Sequence, residues 1–175
     1  MLMSGKMHKE APHEQPRLLQ TVVSVLEEDG FSCGHEREGI LTMTFSGDTG
    51  SWLLWAEVQE AEDWRAVTVF SLAPVVVPEA RRLAVCELLT RINDGRRFGT
   101  FDMDMADGQV LCKTGLNMAD GAMTKKMFEG ILYMNLSLMN DMLAALMAVA
   151  FGGADPYSVL HVEKEREAQG QGTLQ

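Results

Sequence analysis

The chain has 175 residues, of which 46% are hydrophobic and 23% charged, and its net charge is −10. That length suits one domain, burying roughly 70% of its unfolded surface and needing no disulfide or metal to hold a core. The acidic balance excludes nucleic acid, whose binding needs clustered Lys and Arg, and excludes an anionic membrane surface.

Residues 1–15 are polar and aperiodic and read as a mobile lead-in with no apolar signal core. Pro16 sits where a helix can start, and Leu18, Leu19, Val22, Val25 and Leu26 follow at helical spacing until Gly30. From Phe31 the period changes to two. Leu41, Met43 and Phe45 alternate with Thr42 and Thr44, Gly47 to Gly50 marks a turn, and 51–60 and 65–72 read as further strands. A shorter strand near 32–36 turns back at Glu38-Gly39. Links this short make neighbouring strands antiparallel.

Pro74 and Pro78 bracket an extended linker, and Pro78 opens a second helix with Leu83, Cys86, Leu89 and Ile92 on its inner stripe, widened by Val85 and Leu88. Gly95 ends it. Strands at 99–105 and 109–117 flank Asp107-Gly108, the preferred pair for a two-residue hairpin turn. Residues 123–150 form a long helix closed by Gly152-Gly153 and Pro156. Its Asn135, Ser137, Asn140 and Asp141 argue for a buried helix and against a membrane span. Domain bounds follow as a lead-in at 1–15, one domain at 16–153 and a flexible tail at 154–175. The fold class is α+β, an antiparallel sheet packed against helices in the order α-β-β-β-α-β-β-α.

The run Leu88-Leu89-Thr90-Arg91-Ile92-Asn93, Gly99-Thr100-Phe101-Asp102-Met103-Asp104, Asp107-Gly108 and Lys113-Thr114, together with Pro74 to Pro78, resembles the YbjN family of bacterial proteins over about 18–149. The resemblance implies a type III secretion chaperone-like fold, small, acidic and dimeric, a regulatory or chaperone role in binding extended protein segments, and no catalytic residues. Cys112 departs from the larger or charged residue expected beside the hairpin.

Chemical constellations are thin. Asp102, Asp104 and Asp107 miss the calcium-loop pattern, because Asp107 and Lys113 stand where Gly and Glu are required. They read as an outward strand face and a turn. Cys33 and His35 supply two potential ligands where zinc needs three or four, and His8, His13 and His161 fall in the tails. Three cysteines without a CxxC spacing suit a reducing, cytoplasmic compartment. Gly47-Asp48-Thr49-Gly50 links strands and lacks the helix that phosphate loops use. Neither a cofactor nor a catalytic centre is expected.

Two apolar features point to binding. On the strand from Ser51, Trp52, Leu54, Ala56 and Val58 share one face, and Leu53, Trp55, Glu57 and Gln59 the other. Either the first helix or a loop covers Leu53 and Trp55, or they meet a protein partner. The last helix is apolar nearly all round, more than one sheet face covers. Met127, Ile131, Met134, Leu138 and Met142 are therefore expected to face a second subunit. The function expected is a non-catalytic, homodimeric, protein-binding adaptor. The alternative is a ligand-sensing domain with a pocket between the sheet and the last helix.

Overall fold

The computed structural model describes residues 18–37, 39–61, 64–118 and 121–160. Helix α1 (Leu18–Glu28) leads into strands β1 (Gly34–Arg37), β2 (Ile40–Gly47), β3 (Gly50–Glu60) and β4 (Arg65–Val76). A 3-10 turn (Glu79–Arg81) precedes α2 (Arg82–Asn93), then β5 (Thr100–Met103), β6 (Gln109–Asn117) and α3 (Lys125–Ala150). The six strands form one antiparallel sheet in the order β1-β2-β3-β4-β6-β5. The α+β class expected from the periodicity holds, and the shorter strand read near 32–36 forms as β1, a fourth strand before α2 where the expected order had three.

Strand β4 runs past the length read from sequence. Residues 74–77 were expected as a linker, yet pairing resumes at Val76 with Gln109 after a break in register beyond Leu72. Pro74 falls inside that break, where its missing N–H costs no ladder hydrogen bond. The β5–β6 hairpin includes Asp107-Gly108, but it is not the two-residue turn expected. Strand β5 ends at Met103, Asp104 N–H donates to the Gln109 carbonyl at 2.9 Å, and four residues, 105–108, make the turn, with Gly108 N–H closing on the Asp104 carbonyl at 2.8 Å. Gly108 has φ +82, and a Cβ there would lie 2.3 Å from the Val77 carbonyl, so glycine is required twice over.

Helix α2 is rotated from the stripe expected for it. Val85, Leu88, Leu89 and Ile92 are buried, an i, i+3, i+4, i+7 set, whereas Leu83 is 78% exposed and Cys86 only half-buried. The 3-10 turn takes up the residues before Arg82, so helical phase begins later than Pro78 suggested.

Helix α3 lies across the sheet against β4 and β6, with α1 and α2 packed beside it. Thr124 caps its start by accepting the Met127 N–H at 3.2 Å. Its length and mean hydropathy of 1.3 would suit a membrane span, but most of its apolar residues are buried in the interior of the fold. Asn135 is fully buried there. It accepts from Ser71 Oγ at 2.6 Å and donates to the carbonyls of Val69 (3.0 Å) and Cys112 (3.3 Å), while Trp52 Nε1 donates to Ser71 Oγ at 2.9 Å. Thr114 Oγ1 adds a bond to the Ile131 carbonyl at 2.8 Å. These bonds fix the register of α3 on the sheet, since sliding by one residue would leave a buried amide unpaired.

The core extends beyond α3. Residues 156–160 form a helical turn, and Ala154, Val159 and Leu160 pack against the core, so the tail expected from 154 does not begin there. Residues 1–17 and 161–175, with the lead-in and tail assigned to them, lie outside the described residues.

Candidate functional site

Strand alternation sends every second residue of the sheet away from the helices. Trp52, Leu54 and Ala56 turn inward and are buried, as expected from sequence. Leu53 and Trp55 turn outward, and α1 does not cover them, because it packs on the same side as α3. Leu53 is 43% exposed and Trp55 half-buried.

The register places more apolar side chains beside these two. Leu53 pairs with Leu72, and Leu72 with Leu111, giving a leucine row across β3, β4 and β6. In the next row Trp55 pairs with Phe70, their rings stacked 4.9 Å apart at 11°. Phe70 in turn pairs with Lys113. All five apolar side chains are exposed or half-exposed and stand apart from the core. An antiparallel sheet with one solvated face normally carries polar residues there, so two apolar rows on that face call for a reason.

The electrostatics of this face are mild. Lys113 forms an ion pair with Asp102 across β5 and β6. Glu57 accepts a hydrogen bond from Trp55 Nε1 at 3.2 Å, which fixes the indole. Ser46 and Ser51 hydroxyls bond each other at 2.7 Å at the edge.

Of the partner-binding residues expected from sequence, Leu53 and Trp55 are both on this face. Phe70, Leu72 and Leu111 went unread, although alternation within 65–72 and 109–117 carries the signal once the strands are paired. The face expected for a second subunit on α3 is not a single surface. Ile131, Leu138 and Met142 are buried by their own chain, and only Met127 (38%) and Met134 (37%) stay exposed. The sheet shelters one side of α3 and the flanking α1 and α2 shelter much of the rest, a layer that the sequence pattern does not reveal.

The space between the sheet and α3 is filled by Phe128, Leu132, Asn135, Leu136 and Met139. A surface groove of about 440 Å³ lies instead at the edge of α3, between Tyr133, Leu136, Ser137, Asn140 and the turn after Phe45. Its polar groups are engaged. Asn140 Oδ1 accepts the Asp48 N–H at 2.8 Å, and Tyr133 donates to Asp29 at 2.8 Å, which raises the phenol's pKa.

The candidate ligands and nucleophiles have structural tasks. Asp104 Oδ1 accepts the Ala106 N–H at 2.7 Å and Asp107 Oδ1 the Gln109 N–H at 2.8 Å, both shaping the hairpin turn. Among the described residues no three His, Cys, Asp or Glu side chains converge as a metal site. The His35 side chain, His8, His13 and His161 lie outside the described residues. Cys112 points inward and is fully buried, and desolvation pushes its thiol up to about 12. Burial also raises the Cys33 thiol. Neither is an activated thiolate.

The family motif finds its meaning at the end of α2. Asn93 Nδ2 donates to the Phe101 carbonyl at 2.8 Å, and Asn93 Oδ1 accepts the Phe101 N–H at 2.9 Å. The side chain thus behaves as a one-residue strand along the free edge of β5 and blocks it.

Residues 18–147 match the model of the YbjN family, described as "Putative bacterial sensory transduction regulator". Among solved structures, the chain is similar to YbjN from E. coli, described as "a putative transcription regulator". The two share 16% identity with a TM-score of 0.50, over 74% of this chain and 90% of that one, a likeness of fold. No curated protein matches.

Proposed function

Because the chain belongs to the YbjN family, we propose that it is a non-catalytic regulator that acts by binding protein through the open face of its sheet. The observation that carries this reading is the pair of apolar rows, Leu53–Leu72–Leu111 and Trp55–Phe70, on the face away from the helices. Water contact with these side chains is costly, at about 25 cal/mol for each Å² of apolar surface, so a partner that covers them gains that amount. Trp55 is well placed as an anchor. Its ring is already fixed by Phe70 and by the hydrogen bond to Glu57, so little side-chain entropy remains to be lost on binding.

The raised thiol pKa values of Cys33 and Cys112 and the structural use of Asp104 and Asp107 support a role without catalysis. A ligand pocket between sheet and α3 has less support, since buried side chains fill that layer.

A photo-reactive amino acid placed at Leu72 in the full chain tests the reading in bacterial cells. Irradiation is expected to yield protein adducts from position 72 and none from a control position at Asp94, on the far end of α2. Equal or absent adducts at the two positions would overturn it.

A further inference from the structure

We infer that the open sheet face is closed by a second copy of this chain, packed face to face across a two-fold axis that runs along β4. This rests on the reading that the face binds protein, and it names the protein.

Charge is the first support. At net −10 two copies repel, and they meet at least cost on a nearly uncharged surface. Outward positions of β2, from Ile40 through Thr42 and Thr44 to Ser46, carry no charge. Among the described side chains of the rows beside them, the charged ones are Glu57, Lys113 and Asp102, the last two already paired.

The second support is self-complementarity. Phe70 and Leu72 lie on β4, with Trp55 and Leu53 on the β3 side and Lys113 and Leu111 on the β6 side. Half a turn about β4 exchanges those two sides between the copies, as an isologous contact requires. Leu53 then comes over Leu111, Trp55 over Lys113, and Phe70 and Leu72 over their own counterparts. Each lysine then lies over the tryptophan of the other copy, with Glu57 in the adjacent row. No two like charges are set opposite each other. The strands of the two sheets run side by side, as in aligned sheet packing.

The third support is size. Five strands spaced about 4.8 Å apart, over about six residue steps, give a flat area near 500 Å². Two such faces together bury about 1,000 Å², the lower bound for a specific interface and the size at which a dimer dissociates on dilution. A basic amphipathic segment of another protein is the competing occupant, but the few charges on this face are not all acidic, and its lysine sits where such a segment would bring its own cations.

Sedimentation equilibrium of the full chain tests this over about a hundredfold range of concentration, where a mass of two chains that dissociates on dilution is expected. On the axis, residue 72 meets only itself. Leu72→Glu and Leu72→Lys are therefore each expected to be monomeric, and their equimolar mixture to recover the dimer. Circular dichroism verifies that each variant is folded. Should either fail to fold, Leu53→Glu mixed with Leu111→Lys puts the opposite charges over one another in the same way. A wild type that stays monomeric, or a mixture that does not reassemble, overturns the inference. In that case adducts from position 72 to a different protein leave the broader reading standing, and a lack of adducts removes both.

Discussion

Cys112 shows how far one residue's environment decides its chemistry. It lies under α3 with no exposed surface, its carbonyl bonded to Asn135, and desolvation holds its thiol near 12 against an ordinary value of 9.0. A folded-state pKa above the unfolded one means that the unfolded chain loses its proton first as pH rises. The contribution to stability is therefore intact below about pH 9 and declines between 9.0 and about 12. Alkylation by iodoacetamide at neutral pH is expected to modify Cys33 and Cys86, both half-buried, well before Cys112. Mass-spectrometric peptide mapping checks the order, and early labelling of Cys112 would contradict its burial. In sequence this residue looked like a departure beside a functional hairpin. Its side chain proves to face the helices, where a small apolar group fits and a charge would not. Leu53 and Trp55 were legible for the opposite reason. Alternation along β3 fixes which residues share a face from β3 alone.

At the level of elements, the place of the β5–β6 hairpin was legible from Asp107-Gly108 because turn chemistry is local, but its length was not: the turn takes four residues where two were expected. The phase of α2 was not, because a 3-10 turn before Arg82 shifts it and leaves Leu83 in water. Phe70, Leu72 and Leu111 were missed because their adjacency depends on cross-strand register, which only the paired sheet displays. The run from Leu88 to Asn93 was recognisable without the task of its last residue here, which clamps both backbone groups of Phe101. Asn93→Ala removes two hydrogen bonds at a partly buried site and is expected to cost about 1–3 kcal/mol. For a domain of this size that lowers Tm by about 2–4 °C per kcal/mol. The loss belongs to one edge. Hydrogen exchange at the Phe101 amide is expected to accelerate, with the β3–β4 amides keeping their protection. Uniform loss of protection across the sheet would mean that Asn93 supports the whole core and not the edge.

Across the whole molecule, the fold class followed from periodicity, but the placement of three helices on one face did not. The apolarity of α3 was read correctly and its consequence was misjudged. The helix is sheltered by α1 and α2 as well as by the sheet, which leaves Met127, Tyr133, Met134 and Met147 as its exposed large apolar side chains, while the opposite face of the sheet carries the two apolar rows. The balance of surface charge sets how the molecule responds to salt. Among the described residues the ion pairs, Arg65–Glu60, Arg91–Glu87, Lys113–Asp102, Lys125–Glu28 and Lys125–Glu129, all involve partly exposed side chains. Such pairs contribute about 0–1 kcal/mol each, and salt weakens them. Against them stands an excess of ten negative charges, whose mutual repulsion destabilises the compact state and is screened by the same salt. The excess outweighs the few exposed pairs, so raising NaCl from about 0.02 M to about 0.5 M, with a Debye length falling to a few ångströms, is expected to raise Tm by about 2–5 °C. Differential scanning calorimetry at fixed protein concentration measures this. A fall in Tm with salt would show that the surface ion pairs, and not the net charge, govern stability. The same screening would lessen repulsion between two copies, so the mass measured by sedimentation should rise with salt at a given concentration if the sheet faces meet.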